Sequence, residues 1–299
     1  MASWPGEEAA QAPPLVVWML AAGLFLVVLG ALMVGFSWYD AEFRRFNRAR
    51  LDALAAAPPL ALTVVALGDS RLRHATRDEA EMADLGRQAG VGDLRFLRIV
   101  YNAGAFGDFV PLLDRILEVR PDVVLIQLDF LFRARAWDRN FRLYLRNLMW
   151  SVTRGTPVFD DPWATQFDRP CRRDGQPDLF TDSRHFERFK IGVAQGFSLD
   201  PDAPAYARVM AFAEAARARG IRVAFVHLRS SSQLEALIHE GRDLRPDLLA
   251  KVAGDSRGAD FWRFPAESAG DRDYCDFIHL TDEASRAFSR WLVRRLASS

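Results

Sequence analysis

The chain has 299 residues, half of them hydrophobic and 26% charged, with 39 basic and 39 acidic side chains. That balance suits a globular protein, and a formal net charge of zero gives no global field to attract nucleic acid. Lys190 and Lys251 are the only lysines, so a GC-rich coding bias accounts for any single arginine. The two cysteines, Cys171 and Cys275, show no metal-ligand spacing and no C-x-x-C. One disulfide or two thiols are both open.

In chain order, residues 1–14 form an N-terminal tail. Leu15 to Trp38 then runs for 24 residues without a charge, more than the roughly 20 that a bilayer-spanning helix needs. Trp18, Trp38 and Tyr39 stand near its ends, where amphipathic rings favour the membrane interface. A cleaved signal peptide fits poorly, because the apolar core is long, Glu7 and Glu8 precede it, and no small-x-small site follows. A single-pass anchor over 15–38 is therefore expected. Arg44, Arg45, Arg48 and Arg50 follow it with no Lys or Arg before it, so the positive-inside rule would leave the rest of the chain in the cytoplasm. Residues 39–59 read as a helical stalk, with Phe43, Phe46, Leu51 and Leu54 at helical spacing and Pro58-Pro59 as the stop. Its arginines suit anionic headgroups, and equally a solvated helix face.

A globular domain is expected over 60–299. Short apolar runs at Ala61–Leu67, Leu94–Tyr101, Val123–Leu128, Ile221–Leu228 and Asp260–Phe264 read as strands. Helices are expected at Val110–Val119, at Ala203–Arg219 with Gly220 as its stop, and at Thr281–Leu296. Continuous apolar strands separated by helices imply a five-stranded parallel sheet covered on both faces, a three-layer α/β domain of flavodoxin-like order. In such a fold ligands bind outside the carboxyl ends of the strands. Residues 151–201, with Pro157, Pro162, Pro170 and Pro177, many charges and Cys171, break the pattern and read as an insertion.

The stretch VVALGDSRLRHA, Val64 to Ala75, places Gly68-Asp69-Ser70 at the end of the first strand. These are ordinary turn formers, so a plain turn and a nucleophilic serine are both open on the motif alone. A nucleophilic Ser needs a base, and the base needs an orienting carboxylate. Of the five histidines, His227 lies in a strand and reads as core, while His185 and His239 fall in the insertion and on a surface helix. His279 differs. It sits before the last helix in DYCDFIHLTDEA, with Asp276 three residues upstream, so a D-x-x-H loop can present carboxylate and imidazole to one side.

These blocks resemble the SGNH/GDSL hydrolase superfamily. Gly68-Asp69-Ser70 is similar to its first block and Asp276-x-x-His279 to its last. YNAGAFGDF, with Asn102, Gly104, Gly107 and Asp108 after the second strand, is similar to a middle block. The resemblance covers about residues 60 to 297. It implies a Ser70–His279–Asp276 triad with oxyanion donors at the Arg71 and Gly107 backbone N–H groups, and no metal or organic cofactor. The family's asparagine after the third strand has no counterpart in VVLIQLDFLFRAR, and losing one oxyanion donor costs about 10²–10³ in rate. Arg73, His74, Arg133, Arg135 and Arg229 fall near the expected crevice mouth, either as ordinary surface residues or as contacts to an anionic substrate.

An anchor, a stalk and such a domain together are similar to cell-envelope acyltransferases and esterases. That likeness implies acyl groups on an envelope glycan as substrate and a membrane-bound O-acyltransferase as partner. It also implies a bacterial inner-membrane protein whose domain faces the periplasm, against the positive-inside rule. A lipase or thioesterase acting on lipid acyl chains, and a weakly active scaffold subunit of a polysaccharide assembly complex, are the alternatives.

Overall fold

The computed structural model describes residues 14–58, 61–102, 104–131, 137–155, 204–232, 234, 246–265 and 269–298. Most of the expected insertion, with Cys171 and His185, lies outside them, as do Arg133, Arg135 and His239. Helix α1 runs unbroken over Leu15–Ala55. The chain divides into two compact units, with the boundary between Glu42 and Phe43. Over residues 15–30 the apolar side chains of α1 are exposed, Leu20 and Val27 among them, and the helix is long and apolar enough to cross a membrane.

The second unit opens with the last turns of α1. Phe43 and Leu51 are fully buried, and the Phe43 ring meets Tyr101 edge-on at 4.9 Å. Arg50 donates to the Arg98 carbonyl at 2.8 Å and pairs with Glu79. These turns fall within the expected stalk, and their apolar side chains are part of the core of the second unit. The unit continues with β1 (Leu62–Gly68), α2 (Ser70–Ala75), α3 (Glu79–Gln88), β2 (Leu94–Val100), α4 (Val110–Val119), β3 (Val123–Gln127) and α5 (Trp137–Arg154). It closes with α6 (Pro204–Arg217), β4 (Arg222–His227), α7 (Pro246–Asp255), β5 (Asp260–Arg263) and α8 (Asp282–Ala297).

The five strands form one parallel sheet in the order β2-β1-β3-β4-β5. This is the expected α/β architecture. All five residues of β3, the central strand, are buried, as a parallel sheet covered on both faces requires. One face packs Val64, Ala66, Leu125 and Val226 against Leu72 of α2, Met82 of α3 and Phe288 and Leu292 of α8. Helices α4 and α6 lie together, with the Phe212 ring of α6 tilted by 55° against that of Phe106, centroids 5.7 Å apart. Gly220, at φ 78°, ends the α6 segment in the left-handed conformation that a residue without a Cβ adopts freely.

The sheet order reverses between β1 and β3. Crossovers from their carboxyl ends leave in opposite directions there, which opens the crevice where α/β folds bind ligands. The GDS turn follows β1 at that point.

Candidate active site

Gly68 closes β1 where the chain leaves no room for a side chain. A Cβ there would lie 2.4 Å from the Leu72 Cβ and 2.9 Å from the Gln127 Oε1. The next residue, Asp69, caps α2: its Oδ1 accepts the Arg71 N–H at 2.8 Å. Ser70 is therefore the first residue of a short helix, at the carboxyl end of an inner strand.

The D-x-x-H loop is built by hydrogen bonds within a few residues. Asp276 Oδ1 accepts the N–H groups of Ile278 and His279, both at 2.8 Å, an Asx-type turn. Cys275 N–H donates to the His279 carbonyl at 3.0 Å, and Tyr274 and Leu280 form an antiparallel bridge. Ser231, just past β4, donates its N–H to the Phe277 carbonyl at 2.9 Å and ties the loop to the sheet. Cys275 is not a free thiol.

The two segments meet. His279 Nδ1 lies 2.6 Å from Asp276 Oδ2, and His279 Nε2 lies 2.8 Å from Ser70 Oγ, across 209 residues of chain. A carboxylate only accepts, so Nδ1 carries the proton and Nε2 is the acceptor facing the serine hydroxyl. Burial opposes ionisation of Asp276. Hydrogen bonds from the His279 ring and from two backbone N–H groups outweigh it and hold the carboxyl below its ordinary range. Such a set can move a proton off Ser70 Oγ while keeping the imidazole in one tautomer.

The other expected site residues divide. The Arg71 backbone N–H, expected to face an oxyanion, instead serves Asp69 Oδ1, because the helix cap needs that donor. Its guanidinium is buried and paired with Asp129. The third-block stretch thus places a carboxylate engaged by an arginine just beyond β3. Gly107 sits in a 3₁₀ turn over Phe106–Asp108, held by buried Asp108, whose Oδ2 accepts the Ala105 N–H at 2.9 Å. Asn140 of α5 donates to the other oxygen of Asp108 at 2.8 Å.

Arg73 and His74 belong to each other rather than to open solvent. An Arg73 Nη2 to His74 Nε2 distance of 2.8 Å makes Nε2 an acceptor. The His74 ring packs against His279 with centroids 4.6 Å apart and planes tilted by 59°. Burial first, then the electrostatic influence of the neighbouring His279 and Arg73, pushes the His74 pKa down to about 3. It stands beside the His279 ring as a neutral imidazole. Arg229 lines a small cavity with Arg71, Tyr274 and Ile278. His227 is buried in β4.

Two residues of the site were not singled out from sequence. Gln127 Oε1 accepts the Asp69 N–H at 2.9 Å, and its Nε2 donates to Asp129 Oδ2 at 3.2 Å. The available signal was the pair of polar residues interrupting the apolar run VVLIQLDF at the end of a central strand.

No protein-family model matches this chain, and no curated protein does. Among solved structures it is similar to TesA, at 14% identity and a TM-score of 0.36, covering 77% of this chain and 97% of that one. It is also similar to the inhibitor-bound form of an aryl esterase of M. Smegmatis, at 12% identity and a TM-score of 0.38, covering 79% of this chain and 98% of that one.

Proposed function

We propose that the chain is a serine-dependent enzyme acting on acyl esters, with Ser70 as nucleophile, His279 as general base and Asp276 as the group that orients it. The observation that carries this reading is the hydrogen-bonded line from Asp276 through His279 to Ser70. His279 Nε2 takes the Ser70 proton as Oγ bonds to the ester carbonyl carbon. The tetrahedral intermediate collapses, its bond to the leaving oxygen breaks, and His279 returns the proton to that oxygen. Water or a sugar hydroxyl then attacks the acyl-Ser70 ester, giving its proton to His279, which passes it to Ser70 Oγ as the acyl–Oγ bond breaks. The developing oxyanion is assigned to the backbone N–H groups of Gly107 and of Ser70 itself, since that of Arg71 is taken by Asp69.

The finer reading is a membrane-anchored SGNH-type esterase or O-acyltransferase of the bacterial envelope. Its substrate is acyl groups on an envelope polysaccharide, its domain lies in the periplasm, and a membrane-bound O-acyltransferase supplies the acyl group. The long apolar stretch of α1 favours the anchor, and the three sequence blocks favour the family. Arg229 is assigned to an anionic part of the substrate, whereas Arg73 is committed to His74.

The test is turnover of an activated acetyl ester by the full chain in detergent. Ser70→Ala and His279→Ala should each lower kcat by at least about 10³-fold, the scale on which triad members act. Equal rates in all three proteins would end the enzymatic reading. Acetyl transfer to an added glycan, instead of acetate release, identifies a transferase.

A further inference from the structure

The proton path leaves unused four buried polar side chains around Ser70. Asp69, Arg71, Gln127 and Asp129 are 3%, 4%, 1% and 5% exposed. Their contacts close a ring. The Asp69 N–H donates to Gln127 Oε1 at 2.9 Å, and Gln127 Nε2 donates to Asp129 Oδ2 at 3.2 Å. Arg71 Nη2 pairs with that same Asp129 oxygen. The Arg71 fork returns to Asp69, with Nε to Oδ1 and Nη2 to Oδ2 both at 3.4 Å.

Burying a guanidinium and two carboxylates is expensive, and apolar residues of similar volume commonly serve stability as well or better. What an ionic ring adds is direction: a planar guanidinium fork meets a carboxylate in few orientations. The ring joins just two places, the first turn of α2 and the end of β3. Ser70 lies between two of its members in the chain, so the residues on both sides of the nucleophile are held by side-chain contacts.

We propose that this ring is a clamp that sets the position of Ser70 against His279, with the Arg71 and Asp129 side chains as positioning residues. The inference rests on the nucleophilic role proposed for Ser70. It gives the Arg71 side chain a task separate from that of its backbone N–H, and it gives Asp129 a task the family's asparagine does not suggest.

The experiment compares the full-length wild type with Arg71→Lys and with the double variant Arg71→Met/Asp129→Leu, which removes the Arg71–Asp129 pair and leaves Asp69 with its helix-cap hydrogen bond. The readouts are melting temperature, kcat and KM on the activated acetyl ester, and the rate of covalent labelling by a fluorophosphonate, which reports the attack of Ser70 alone. The double variant should still melt cooperatively, at a lower temperature than wild type because Asp69 stays buried without the Arg71 fork. Its kcat and labelling rate should nevertheless fall about 10- to 100-fold, as a misplaced nucleophile does, with KM changed less than about threefold. Arg71→Lys, which keeps the charge and loses the fork, should also lower kcat and labelling with KM held. Wild-type kcat and labelling in the folded double variant would overturn the clamp, as would a loss confined to KM. Should the double variant not fold, Arg71→Lys decides on the same readouts. A wild type that never labels removes the proposed chemistry and the clamp with it; a labelled wild type beside unchanged variants removes the clamp alone.

Discussion

Gly68 is the residue on which the turn depends most directly. Any side chain there meets Leu72 on one side and Gln127 on the other, and both neighbours are fixed, one in α2 and one in the Asp69–Gln127 hydrogen bond. Overpacking of this kind costs about 1–3 kcal/mol. Gly68→Ala should lower stability by that amount and lower ester turnover with it, read from denaturant midpoints and kcat. An unchanged midpoint would show that the turn relaxes freely.

His74 makes a second prediction at this scale. Its pKa is 6.5 when unperturbed and about 3 in the folded chain, so the unfolded chain binds one more proton between those values. Stability therefore rises with pH across that window, is fully present above 6.5, and is lost on acidification. Asp276, also lowered, acts in the same direction but only below its ordinary value of 3.8. His74→Gln should flatten the melting-temperature profile between pH 6.5 and 3.8, and a profile as steep as wild type would count against this account. Of these residues, Ser70, Asp276 and His279 were legible in sequence because their chemistry demands specific residue types at short local spacings. The partners of Arg71 and His74 were not, because an arginine beside a turn reads the same whether its guanidinium meets solvent, a carboxylate or an imidazole.

Among the elements, α1 changes the character of its side chains along its length. No proline occurs between Leu15 and Ala55 and the helix is unbroken, so the change is one of side chains alone. Exposed apolar residues give way to a stripe in which Phe43, Asn47, Leu51 and Leu54 are buried. Losing buried Phe or Leu side chains costs about 2–5 kcal/mol each, and the total stability of a domain is about 5–15 kcal/mol. A chain beginning at residue 58 should therefore show no cooperative melt, whereas one beginning at residue 39 should melt cooperatively. Circular dichroism on both decides it, and two similar melts would mean that the helix end contributes little. Elsewhere the strands begin and end within a residue or two of the periodicity reading. Helices α2, α3, α5 and α7 were not read from sequence. The six residues of α2 hold Arg71, Arg73 and His74 in a Ser-Arg-Leu-Arg-His-Ala run, where cap and tertiary contact rather than apolar period decide the conformation.

For the molecule as a whole, sheet order sets the site. With β1 and β3 adjacent where the strand order reverses, the GDS turn and the Gln127–Asp129 segment come together, and the loop before α8 is tied to the residue just past β4. The proposed orientation across the membrane is testable at this scale. Alkaline phosphatase fused to the carboxyl terminus should be active in cells, and a cytoplasmic fluorescent reporter at the same place should stay dark. The opposite result would follow the positive-inside rule and remove the periplasmic assignment.

The sequence by itself determined the parts: an apolar segment of membrane-spanning length, five strands apolar enough to be covered on both faces, and a carboxylate three residues from an imidazole. Each rests on period or local spacing, which a chain carries without folding. Only the tertiary structure decided which parts meet. Ser70 and His279 stand 209 residues apart, and the ring around Ser70 joins α2 to β3. Such contacts depend on strand order and crossover direction, which no local pattern encodes. For the same reason only the fold could commit the Arg71 backbone N–H to Asp69, its guanidinium to Asp129, and Arg73 to His74.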